Sequence, residues 1–148
     1  MPDNDNDSVI VACPACLAQN RIPRARLAQA PVCGRCRQPV LPAAPLALAE
    51  ASFDAYVGRT QLPVVVDFWA PWCGPCRAMA PNFEQIAAEL GAQARFAKVN
   101  TEEAAQLGAR FAIRSIPTLI VFREGRELAR ASGALDTRSL RQFIAPHL

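Results

Sequence analysis

The chain has 148 residues, 51% of them hydrophobic and 20% charged, and a net charge of +3, which are the proportions of an ordinary globular protein of one domain plus a small module. No apolar run approaches the roughly 20 residues that span a bilayer, so no membrane role is expected. Residues 1–45 set Arg21, Arg24, Arg26, Arg35 and Arg37 against Asp3, Asp5 and Asp7, too thin an excess of cations for a nucleic-acid surface.

The first eight residues contain three Asp and no Lys or Arg, whereas a secretory signal needs a basic start and an apolar stretch. A cytoplasmic, reducing location is expected, where cysteines serve metals or catalysis more often than structural disulfides. Cys13 and Cys16, then Cys33 and Cys36, form two Cys-x-x-Cys pairs separated by 16 residues, within the spacing of structural zinc sites. Each pair makes a tight knuckle, and together they offer four thiolates for one tetrahedral ion. A disulfide-stapled module and a 2Fe–2S cluster are the competing readings. With zinc bound, the segment's charge falls to about zero. Its large apolar residues (Val9 to Val11, Ile22, Leu27, Val32, Val40) are too few for a self-sufficient core, as small domains usually need a staple. Residues 1–40 are therefore read as a zinc module, and the Pro/Ala-rich residues 41–49 as a semi-rigid linker.

From Glu50 onward, strand and helix patterns alternate. A short helix covers Glu50 to Tyr56, with Ser52 near its start. Pro63 to Ala70 reads as a central strand buried on both faces. Gly74 to Leu90 carries Met79, Phe83, Ile86 and Ala87 at helical spacing. A strand follows at Arg95 to Val99, and Thr101 is expected to cap a helix from Glu102 to about Arg110. Strands at Thr118 to Phe122 and Glu127 to Ser132 flank a Glu124-Gly125 turn. Asp136 or Thr137 opens a final helix with Leu140, Phe143 and Ile144 on one face. This order implies an α/β fold, a mixed central sheet with helices on both faces.

The third pair, Cys73 and Cys76, differs from the others in following a buried strand and opening a helix. Two cysteines three apart on a first helical turn can bond to each other. Backbone N–H groups at the helix start favour the thiolate, so Cys73 is expected to be the exposed nucleophile and Cys76 the resolving thiol. Pro75 fits a first turn; Pro81 removes a helical hydrogen bond. The pair could also be half of a metal site or two buried structural thiols. It supplies only two ligands, though, and the only histidine is His147. Asp67 is a carboxylate inside an apolar strand, where burial raises its pKa toward the range of proton exchange.

Trp72-Cys73-Gly74-Pro75-Cys76 resembles the active-site motif of the thioredoxin family. Asp67-Phe68-Trp69-Ala70, Pro81, Lys98, Ile116-Pro117-Thr118, Gly125 and Gly133 extend the resemblance over residues 50–148. The N-terminal cysteines, with Asn20-Arg21-Ile22-Pro23 between them, are similar to the zinc-containing bacterial thioredoxin 2 class. The resemblance implies the thioredoxin fold with a zinc-ribbon-like module, and a monomer that reduces protein disulfides. It implies a cis bond at Pro117, proton transfer by Asp67 with Lys98 as its modulator, and a substrate surface of Trp72, Gly74, Pro75, Ile116, Pro117 and Gly133. Thioredoxin reductase and oxidised proteins are the implied partners. One structural zinc is expected and no bound organic cofactor, since the chain has no glycine-rich dinucleotide loop. An oxidase or isomerase on the same fold is the competing enzyme reading, disfavoured by Gly74-Pro75.

Overall fold

The computed structural model describes residues 7–148, so the acidic reading of the first eight residues falls mostly outside it. β1 (Ser8–Ala12) and β2 (Gln19–Pro23) form an antiparallel ribbon with Ser8 opposite Pro23 and Ala12 opposite Gln19. The remaining strands are β3 (Leu46–Ala47), β4 (Val64–Trp69), β5 (Arg95–Asn100), β6 (Thr118–Arg123) and β7 (Arg126–Ser132). They form one mixed sheet in the order β3-β5-β4-β6-β7, parallel from β3 to β4 and antiparallel beyond. The helices are α1 (Glu50–Arg59), α2 (Gly74–Glu89), α3 (Ala105–Arg110) and α4 (Thr137–Ile144).

Strand alternation splits the core in two. Val64, Val66 and Phe68 pack with Phe53, Tyr56 and Leu107 of α1 and α3. Val65 points the other way, among Met79, Phe83 and Ile86 of α2 and Leu140 and Ile144 of α4. β4 is accordingly inaccessible from Val64 through Phe68, as expected for a strand covered on both faces. The β6–β7 hairpin turns through Glu124 (φ 50°) and Gly125 (φ 84°), the positive-φ pair that two-residue hairpins require. Asp136 caps α4, its Oδ1 accepting from the Ser139 N–H at 2.8 Å.

Three local expectations are corrected. The stretch read as a spacer is tied down, because Leu46 and Ala47 pair with Ala97 and Lys98 as an edge strand. Thr101 does not cap α3; its hydroxyl donates to the Trp69 carbonyl at 3.0 Å. The cap comes from Glu50, whose Oε1 accepts from the Gln106 and Leu107 N–H groups at 2.6 and 3.2 Å. Val32, counted among the module's apolar residues, is 54% exposed.

The ribbon is docked on the sheet. Gln61 and Ile10 exchange hydrogen bonds of 2.7 and 2.8 Å, Ala12 donates to Thr60 Oγ1 at 3.2 Å, and Arg59 donates to the Leu17 carbonyl at 2.9 Å. Leu62 and Ala92 complete the ribbon's apolar cluster of Val9, Val11, Ile22, Leu27 and Val40. The Arg95 guanidinium, 1% exposed, donates to the carbonyls of Gly91 and Pro42 at 2.8 Å each. Replacing Glu50 by Ala leaves two α3 N–H groups uncapped, and urea denaturation should show a loss of about 1 kcal/mol, with Glu50→Gln retaining part of it.

Candidate active site and metal centre

β4 ends at Trp69, and Ala70, Pro71 and Trp72 carry the chain to Cys73, the N-cap of α2. Cys73 and Cys76 are disulfide-bonded with their Cα atoms 5.2 Å apart. Cys73 Sγ accepts from the Cys76 N–H at 3.2 Å, so the helix start delivers partial positive charge to that sulfur. Cys73 is only 4% exposed and Cys76 2%. The expectation of an exposed Cys73 is corrected: Ala70, Trp69 and Ile116 pack around the pair. Cys73 Sγ lies 3.7 Å from the Ile116 carbonyl oxygen.

The Ile116–Pro117 bond is cis. Pro117 is buried, and its carbonyl accepts from the N–H of Gly133 (φ 97°) at 2.9 Å. The β6 ladder starts at Thr118, opposite Phe68 and Ser132, so Ile116 lies just outside it. Gly74 and Pro75 are exposed. Trp72 is 65% exposed, and its indole N–H donates to Glu102. Sequence reasoning gave Glu102 to the first turn of α3, and no spacing rule links it to Trp72. A groove of about 400 Å³ opens between Trp72, α3 and Ile116, with Ala109, Ile113 and Arg114 among its lining residues.

Asp67 shares the α2-facing side of β4 with Val65, in the α2 core, and with Trp69, which packs on the cysteine pair. It is fully buried, and neither carboxylate oxygen has a hydrogen-bond partner among the described residues. Burial pushes its pKa up to about 7, against the opposing pull of Lys98. Lys98 is its register partner on β5, and the Lys98 ammonium stands 4.4 Å from the centre of the Trp69 ring.

At the other sulfur cluster, the Sγ atoms of Cys13, Cys16, Cys33 and Cys36 all lie within 4.8 Å of one another. Cys13 and Cys36 approach to 3.5 Å and Cys16 and Cys33 to 3.6 Å. These separations exceed a disulfide bond, about 2.05 Å, and all four thiols are free. Four sulfurs around an ion at about 2.3 Å span such a tetrahedron. The Ala15 N–H points at Cys13 Sγ and the Arg35 N–H at Cys33 Sγ, each at 3.4 Å. The Cys36 N–H, the Asn20 amide and the Arg35 N–H hold the Cys33 thiol down at about 6. Cys36 goes the other way: the Gln38 N–H lowers its pKa, but burial and the neighbouring cysteines push it up to about 11, so it is the convergence of four sulfurs that fits the donor set to a thiophilic cation.

A disulfide between a strand end and a helix N-terminus, opposite a cis proline, defines a thiol–disulfide oxidoreductase. The chain belongs to the thioredoxin family, whose model matches residues 44–146, while a model described as the N-terminal region of thioredoxin 2, a zinc ribbon, matches residues 12–38. Thioredoxin C-3 of Corynebacterium nephridii is 44% identical over 95% of this chain and 96% of its own length. Thioredoxin 1 of Synechococcus elongatus is 41% identical over 69% of this chain and 95% of its own, and thioredoxin of Haemophilus influenzae 37% identical over 70% and 96%. No helix among the described residues is long and apolar enough to cross a membrane.

The buried Asp67 has a consequence for stability. Between about pH 4 and 7 the unfolded chain loses this proton while the folded chain keeps it, so wild-type stability falls with rising pH and levels off above 7. Asp67→Asn mimics the neutral acid and abolishes that fall. In denaturant titrations the variant should match wild type near pH 4 and exceed it at pH 8, by up to about 4 kcal/mol for a carboxyl that burial raises from the ordinary Asp range to about 7.

Proposed function

We propose that the chain is a protein-disulfide reductase. The reading rests on Cys73 Sγ, which receives the Cys76 N–H at the start of α2 and faces the backbone of Ile116. In the reduced protein the helix start favours the Cys73 thiolate. That thiolate attacks one sulfur of a substrate disulfide, forming a mixed disulfide and releasing the other substrate sulfur as a thiol. Cys76 then gives up its proton and attacks Cys73 Sγ, so the second substrate thiol leaves and the Cys73–Cys76 disulfide forms. The two electrons lost by the cysteine pair reduce the substrate.

Asp67 is the proposed acceptor of the Cys76 proton. A carboxyl titrating near 7 holds a useful fraction of base at neutral pH, and Lys98 biases that balance toward the carboxylate. Trp72, Gly74, Pro75, Ile116, Pro117 and Gly133 form the proposed docking surface. An extended substrate would pair with the free backbone at Ile116, a form of strand addition. An NADPH-dependent thioredoxin reductase returns the pair to the dithiol, in the cytoplasm. Cys13, Cys16, Cys33 and Cys36 hold one zinc in this reading. With no ligand position left for water, the ion acts by folding the ribbon.

In an NADPH-coupled assay with thioredoxin reductase and a disulfide protein, wild type should turn over and Cys73→Ser should be inactive. Cys76→Ser should accumulate the mixed disulfide, visible as a mass adduct. Wild type failing to reduce the protein disulfide would refute the reading. The reduction potential separates reductase from oxidase. It should lie near about −270 mV, the general value for thioredoxins rather than one derived from this chain, whereas about −120 mV would mark an oxidase.

A further inference from the structure

The four-cysteine cluster is built asymmetrically, and the asymmetry has a side-chain origin. The Asn20 Oδ1 accepts from the Gly34 N–H at 3.0 Å, and its Nδ2 donates to the Ala18 carbonyl at 3.1 Å. These two backbone partners settle the orientation of the amide independently of any sulfur, because an N–H requires an oxygen and a carbonyl requires a donor. The same Nδ2 stands 3.5 Å from Cys33 Sγ. The Asn20 side chain therefore projects from β2, braces the turn at Gly34 and presents an N–H to the sulfur of Cys33.

We propose that Asn20 is the positioning residue of the metal centre, locking the second knuckle against the ribbon and drawing charge from the Cys33 thiolate through an N–H···S hydrogen bond. The proposal rests on zinc occupying the four cysteines. A zinc ion with four thiolates has net charge −2, and hydrogen-bond donors to sulfur disperse it. The donors from Ala15 and Arg35 are backbone groups that persist whatever side chains those positions carry. Asn20 is a side chain, so its amide is a contact that substitution can alter. It also ties the Cys33 knuckle to the residues after the Cys13–Cys16 knuckle, joining the two halves of the site. Partners of this kind typically change metal affinity by roughly 10- to 100-fold.

Asn20→Asp is the sharpest variant. It keeps the acceptor for Gly34 but puts an oxygen where the donor faced sulfur. The full-length protein is loaded with zinc or cobalt, and metal content, release to a chromogenic chelator and the sulfur-to-cobalt charge-transfer band are recorded. The variant should bind one metal ion, release zinc roughly 10- to 100-fold faster, and show the cobalt band at lower energy than wild type, because an unbonded thiolate gives up charge more readily. Release within twofold of wild type would overturn the proposal. Faster release with an unmoved band would also overturn it, since a brace without electronic effect produces that result. Should Asn20→Asp take up no metal, Asn20→Ser, which lacks the amide donor without adding a charge, decides by the same two readings. Wild type that binds no zinc would instead sink the metal reading itself, a separate failure.

Discussion

Burial of β4 on both faces is the constraint from which the remaining geometry follows. A strand with Val64, Val65, Val66 and Phe68 fully inaccessible contributes about 1.5–3 kcal/mol per large apolar side chain. A one-residue slip would exchange the two cores, so its register is firmly held. That register sets Asp67 on the α2 side and delivers the chain at Trp69 toward Cys73. The cost of the desolvated carboxylate falls on a strand with enough apolar burial to bear it. Placed on a less buried strand, the same residue would be solvated and would titrate as an ordinary Asp.

The ribbon shows how a module too small for its own core is accommodated. Its cluster is closed by Leu62 and Ala92 from the larger domain. In the other direction, Ala12 and Leu17 join the core built by α1 and β4. Arg95 adds a buried cation whose guanidinium donates to two carbonyls. Truncating it would strand those acceptors as well as remove the charge. The two parts therefore share apolar surface and hydrogen bonds, and neither ends where the composition of the chain changes.

What could be read in the sequence follows the range of each cause. The Cys-x-x-Cys spacings, the helix periodicity and the apolar run of β4 are local, and local sterics decide them. Asp67 stood out because a charge in a Val-rich strand has few solvated alternatives. The two-residue β3 carries too little pattern to detect beside Pro42 and Pro45. The Glu50 cap acts across 56 residues, and the Asn20 amide matters only once the ribbon has folded. The exposure of Cys73 is inferred in the sequence from the helix start favouring its thiolate; the packing of Trp69 and Ile116 is a tertiary effect that no spacing reveals.

Arg59, Thr60 and Gln61, which fasten the ribbon, all precede β4, and Cys73 follows it. Six residues of strand separate the two ends by about 20 Å. The ribbon is thus fastened at the end of β4 remote from the one that leads to Cys73, so a change at these three anchors reaches the disulfide only through a strand that burial on both faces keeps in register.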